Sequence, residues 1–107
     1  MGHIRIIRNE DVERVLIGVP KGHKHLRVYM KLKNNSAMIF QEATIANILR
    51  AYVTIGTHPK IKAQELKMHV LGEISQKQGY ALHQLLEISR SQEEIEKELR
   101  QFLAKST

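Results

Sequence analysis

The run from Met38 to Ile55, MIFQEATIANILRAYVTI, constrains the fold more than any other stretch. From Glu42 onward, Ile45, Ile48, Leu49, Tyr52 and Ile55 follow the i, i+3, i+4, i+7 spacing of one helical face. Ala46, Ala51 and Val53 widen that face, and between Glu42 and Ile55 only Glu42 and Arg50 are charged. A helix this apolar needs cover on more than one side. The rest of the chain is therefore expected to be built around it. Gly56 and Pro59 mark its end, because glycine closes a last helical turn and proline does not continue one.

The cover is expected from the residues before it. Leu26, Val28, Met30 and Leu32 alternate with Arg27, Tyr29, Lys31 and Lys33, the pattern of a half-buried antiparallel strand with one wet face. Val15, Ile17 and Val19 alternate with Arg14, Leu16 and Gly18 in the same way. Residues 3–8, HIRIIR, read as a short strand broken by Asn9-Glu10-Asp11. Pro20-Lys21-Gly22 should reverse the chain between Val19 and Gly22, with proline presetting position i+1 of the turn. Asn34-Asn35 suits a tight hairpin, since asparagine tolerates the left-handed conformation, and Ala37 to Phe40 can return as a further strand.

After Pro59 the pattern favours helices. Ala63, Leu66, Val70 and Ile74 fit a helix, Leu66, Met68 and Val70 fit a strand, and the helix formers Ala63 to Lys67 tip residues 60–71 toward helix. Gly72 and Gly79 loosen the chain. Ala81, Leu82, Leu85 and Leu86 read as a short amphipathic helix that ends at Ser89-Arg90. Ser91 with Glu94 three residues on is a capping box, and it opens a last helix with Ile95, Leu99, Phe102 and Leu103 on its apolar face. Glu93 and Glu94 near its start and Lys105 near its end match the helix dipole. The fold class expected is α+β in one domain over 1–107. It has an antiparallel meander of three or four strands over 1–40, a central helix over 41–57, and two or three helices within 60–105.

The absence of cysteine excludes disulfides and thiolate metal sites and fits a reducing compartment. No leader peptide is visible, and the longest apolar region is interrupted by Gln41, Glu42, Asn47 and Arg50, so no membrane span is expected and a cytoplasmic protein is. The formal charge of +6 is uneven. Residues 1–40 carry eight basic side chains against three acidic ones, whereas the remaining 67 residues carry nine against eight. That asymmetry points to an anionic partner for the first third, although a charge of this size also serves solubility alone.

Lys21, Lys24, Arg27, Tyr29, Lys31 and Lys33 form the candidate anion- or nucleic-acid-binding set. Outward residues on a strand lie about 6–7 Å apart, so the cations can track phosphates while Tyr29 stacks on a base. Against this, lysines on a strand are a routine defence against edge pairing, and one aromatic is few for a phosphate-tracking surface.

Residues 81–103 resemble a helix-turn-helix in outline, with an apolar first helix, an ISRS connection and an amphipathic second helix. The turn that would meet the bases carries Glu93 and Glu94, which phosphates repel, so a helical hairpin packed on the domain or on a partner explains the segment better. His23 and His25 share a side of an extended chain, yet no motif places a third metal ligand, and no metal or cofactor is expected.

Asp11 is the only aspartate and no phosphate loop is present, so no catalytic residues are assigned and no enzyme is expected. Thr57 and His58 are expected to satisfy the last helical carbonyls ahead of Pro59. Two functions follow from the sequence: a small binding module for nucleic acid or another polyanion on the basic strand face, or a homo-oligomeric scaffold. The second would associate through Ile95, Leu99, Phe102 and Leu103.

Overall fold

The computed structural model of the chain describes residues 3–70 and 83–106. Its regular elements are β1 (Val12–Gly18), β2 (Arg27–Leu32), β3 (Ala37–Gln41), α1 (Glu42–Thr57), β4 (Leu66–Val70), β5 (His83–Glu87) and α2 (Gln92–Lys105). The architecture is α+β, with two antiparallel sheets, β1-β2-β3 and β4-β5.

The N-terminal meander forms as a three-stranded sheet with β2 at its centre. Tyr29 lies opposite Leu16 on one side and Ile39 on the other, and Val28 lies opposite Ile17 and Phe40. The alternation therefore places Val28, Met30 and Leu32 on the inner face, where Val28 and Leu32 are buried. Residues 3–8 form no strand. Instead Asn9–Asp11 make a single 3-10 turn, with the Arg8 amide donating to the Asp11 carboxylate at 2.9 Å. A side chain competing for the local backbone in this way favours a turn over a ladder.

Both hairpin turns follow their residues. Asn35 sits at φ 71°, and its amide donates to the Leu32 carbonyl at 3.1 Å. The first turn is one residue later than expected. The His23 amide donates to Pro20 at 2.9 Å, so proline occupies position i and Gly22, at φ 86°, occupies i+2. Positive φ at i+2 is the type II requirement that glycine meets without a steric cost.

α1 starts directly where β3 ends and lies against β2, β3 and β5. The side it turns inward is not its most apolar one. Asn47 is buried, and Thr44, Ile45, Ala51, Thr54 and Ile55 are half-buried, while Ile48, Leu49, Tyr52 and Val53 face outward. Sequence periodicity expected Ile48, Leu49 and Tyr52 to be covered. Thr57 closes the helix end by donating to Val53 at 2.7 Å. The His58 amide donates to the Thr54 carbonyl at 2.9 Å, as expected, and its ring Nδ1 also accepts from the amides of Lys60 and Ile61.

The region after Pro59 departs most from expectation. Residues 66–70 are strand, not helix, and Leu85 and Leu86 belong to β5. Ala81 and Leu82, the other half of the expected short helix, lie outside the described residues, as do Gly72 and Gly79. Met68 pairs with Leu85 and Val70 with His83, so the period-two reading of Leu66, Met68 and Val70 prevails over the helix propensity of Ala63 to Lys67. The paired-helix outline of 81–103 fails with it, since its first half is strand. Among the described residues, α2 is the only helix after Pro59.

Candidate interaction surfaces

α2 begins as its sequence directs. The Ser91 hydroxyl accepts from the Glu94 amide at 3.3 Å, satisfying one free donor of the first turn. Glu94 does not return the bond to the Ser91 backbone in the reciprocal box. Its carboxylate lies 3.6 Å from Arg90 instead. Arg90 is the tether of this region. Its guanidinium reaches Glu65 at 2.7 Å, just before β4, and Glu98 at 2.8 Å in the second turn of α2. Those two carboxylates hold the arginine firmly protonated. Gln92 adds a second link by accepting the Lys62 amide at 2.6 Å.

Beyond these polar links, α2 has no broad packing contact with another element among the described residues. Ile95 is half-buried. Leu99 is 56% exposed, Phe102 44% and Leu103 55%. The structure therefore brings the four expected interface residues onto one helical face and leaves three of them in solvent. Glu98 and Lys105 flank that face on one side, and Glu96 and Arg100 on the other, by the 3.6-residue period. Arg100 closes on Glu96 across one turn.

The basic set is divided. Lys21 and Lys24 are exposed in the first hairpin turn, with half-buried Arg27 at the start of β2 beside them. Among the described residues none of these three is ion-paired, and the Arg27 guanidinium donates to the Leu26 carbonyl at 3.1 Å. Lys33 is exposed at the opposite end of β2, about 20 Å away along the strand. Lys31, near that end, is bound to Glu13 at 3.0 Å. Between the two ends the outer face carries an apolar row, Leu16, Tyr29 and Ile39. Arg14 lies 5.9 Å from the Tyr29 ring, within cation–π range. Arg14 was absent from the expected set, although it stands in the alternation of the other strand, on the face opposite Val15, Ile17 and Val19.

His23 and His25 do not act as a pair. His25 Nδ1 meets the Glu42 carboxylate at 3.0 Å, and the same oxygen accepts the Leu26 amide at 3.2 Å. Among the described residues no group of three His, Asp or Glu side chains is placed to hold a metal, and no helix is long and apolar enough to cross a membrane. An open cleft of about 550 Å³ lies between residues 60–63 and the first turns of α2, lined by Lys60, Lys62, Ala63, Gln92, Glu93, Glu96, Lys97 and Arg100. Its charges are mixed, and Glu96 and Arg100 neutralise each other.

Sequence reasoning missed the outward face of α1. Ile48, Leu49, Tyr52 and Val53 lie within two turns, and Tyr52 is 73% exposed. The signal was present in the breadth of the apolar arc, which exceeds what one sheet can cover. Comparison with family models, with curated proteins and with solved structures finds no match to this chain.

Proposed function

We propose that this chain is a non-enzymatic interaction module that associates with a second copy of itself through the apolar face of α2. The observation that carries this reading is the exposure of Leu99, Phe102 and Leu103 on a helix held to the rest of the chain by Arg90 and Gln92. An amphipathic helix ordinarily buries its stripe in its own core. Each large apolar side chain taken from water contributes about 1.5–3 kcal/mol, so a stripe left in solvent is a strong driving force for association. Sedimentation equilibrium tests the reading. The native chain is expected to self-associate, and Leu99→Asp is expected to weaken association about tenfold or more while leaving the circular dichroism spectrum unchanged. A native chain that stays monomeric at every concentration overturns it, and loss of fold in Leu99→Asp assigns the stripe to the core.

A second reading rests on the unpaired cations Lys21, Lys24 and Arg27. This end of the sheet is a candidate polyanion surface for nucleic acid, with Tyr29 next along the strand. It expects salt-sensitive binding of single-stranded RNA or DNA that Arg27→Glu weakens. Lys31 and Lys33 contribute less to it, because Glu13 compensates Lys31 and Lys33 is remote from the turn. Absence of binding at low salt removes this reading.

A further inference from the structure

The outer edge of β1 carries a row of unused backbone groups. The Leu32 amide donates to the Ser36 carbonyl at 2.9 Å, and the Asn35 amide donates back to the Leu32 carbonyl at 3.1 Å, so Leu32 turns its backbone toward β3. That direction alternates along an antiparallel strand. Tyr29 and Lys31 therefore turn theirs toward β1, where they lie opposite Leu16 and Arg14. The N–H and C=O groups of Val15 and Ile17 consequently point away from β2, and among the described residues nothing bonds to them.

This edge lacks the usual protection. Val12–Gly18 contains neither proline nor lysine. Its two charged side chains are engaged within the sheet, Glu13 with Lys31 and Arg14 over the Tyr29 ring. The one irregularity in the ladder lies between Val12 and Arg14, which leaves the segment from Val15 onward regular. Val15, Leu16 and Ile17 are all exposed and set apolar side chains on both faces of the edge.

We infer that a second copy of this chain pairs its β1 antiparallel on this edge, about a two-fold axis at Leu16. Free backbone groups in a row call for an extended strand as partner. The order of residues in β1 selects its own copy and this register. A two-fold axis normal to the sheet sets residues of one face against each other, and outward backbone groups must meet outward ones. With the axis at Leu16, Val15 lies opposite Ile17 of the second copy and exchanges both hydrogen bonds with it, and symmetry repeats the contact. Leu16 meets Leu16 of the second copy on the other face, and Arg14 lies opposite Gly18. No like charges are opposed, and Val15, Leu16 and Ile17 each meet an apolar side chain. The outer row Leu16, Tyr29 and Ile39 becomes continuous with that of the second copy. An axis at Val15 sets Glu13 against Ile17 and Arg14 against Leu16, and it draws the irregularity into the new ladder. An axis at Ile17 sets Leu16 against Gly18 and runs past the end of the strand.

This pairing goes beyond the α2 reading and uses none of its residues. One short strand buries less than the roughly 800 Å² that a standard interface takes from each partner, so the pairing is expected to be weak and concentration-dependent. The chain has no cysteine, so single-cysteine variants report the contact cleanly. Leu16 and its copy form a pair without hydrogen bonds, whose Cα atoms lie about 4.5 Å apart, inside the disulfide range. With oxidised glutathione, in the Leu99→Asp background that removes the α2 stripe, Leu16→Cys is expected to form a covalent dimer about tenfold or more faster than Ile39→Cys, an exposed position on β3. Where Leu99→Asp does not fold, the same comparison is made in the native chain, since Ile39→Cys controls for encounters through α2. Ile17→Pro removes an outward N–H without touching the bonds to β2. Added to Leu16→Cys, it is expected to return cross-linking to the Ile39→Cys rate with an unchanged circular dichroism spectrum. Equal rates at Leu16 and Ile39 overturn the inference, as does fast Leu16 cross-linking in a folded Ile17→Pro chain. Either result leaves association through α2 to its own test.

Discussion

Asn47 is 7% exposed in the middle of α1, and its amide donates to the Gln84 side chain of β5 at 3.3 Å. Arg50 donates to its oxygen at 3.4 Å. A buried amide that keeps its partners is tolerated, and one whose partner is removed leaves desolvated polar atoms behind. Asn47→Ala is therefore expected to lower unfolding free energy by about 1–2 kcal/mol, measured by urea denaturation. Glu42 works at the same scale from the other end of the fold. Its carboxylate draws the backbone of Leu26 and the ring of His25 onto the start of α1, fixing where the first hairpin turn returns to the sheet. Glu42→Ala is expected to cost about 1 kcal/mol and to raise amide exchange at Leu26, whereas unchanged exchange there would show that the turn is held by other contacts.

At the scale of elements, α2 depends on its first turn. A backbone hydrogen bond and the Ser91 hydroxyl hold the Glu93 carboxyl below the ordinary glutamate range. The folded chain thus binds that proton less tightly than the unfolded chain does. The stabilisation is present in full above the ordinary range and is lost as pH falls through the lower folded value. Acidification is expected to fray α2 from Gln92 inward before the three-stranded sheet melts, as residue-resolved hydrogen exchange would report. Simultaneous loss of both would contradict it.

The contrast between α2 and β5 shows what the sequence could convey. Ser91, the acidic first turn and the spacing of Ile95, Leu99 and Phe102 are local signals that all agree, so the helix was legible. The alternation of β2 was legible for the same reason. Residues 66–70 and 83–87 carry helix formers, and their strand state depends on pairing with each other across the intervening residues. The alternation of Leu66, Met68 and Val70 was a local strand signal, but no local window shows the partner strand that decides it against the helix formers. In the candidate site, the α2 stripe was legible as a stripe, but its exposure was not. Likewise the five cations of the basic face were legible as a set, while their division by the row Leu16, Tyr29 and Ile39 required the register of the sheet.

Across the whole molecule, apolar surface is distributed outward to an unusual degree. Among the described residues Val28 and Leu32 are the buried hydrophobic side chains, while the α2 stripe and the α1 face carrying Leu49 and Tyr52 meet solvent. The radius of gyration, 16.2 Å, exceeds the roughly 13 Å of a compact chain of this length. Association is the physical remedy for such a surface, and among the described residues α2 is the element that its polar ties hold only through its first two turns. The most direct measurement is a dilution series of nitrogen–proton correlation spectra across the micromolar range. Association through α2 predicts concentration-dependent shifts centred on Leu99, Phe102 and Leu103, absent in Leu99→Asp. Spectra that do not change with concentration, or shifts confined to Leu49 and Tyr52 of α1, would contradict it.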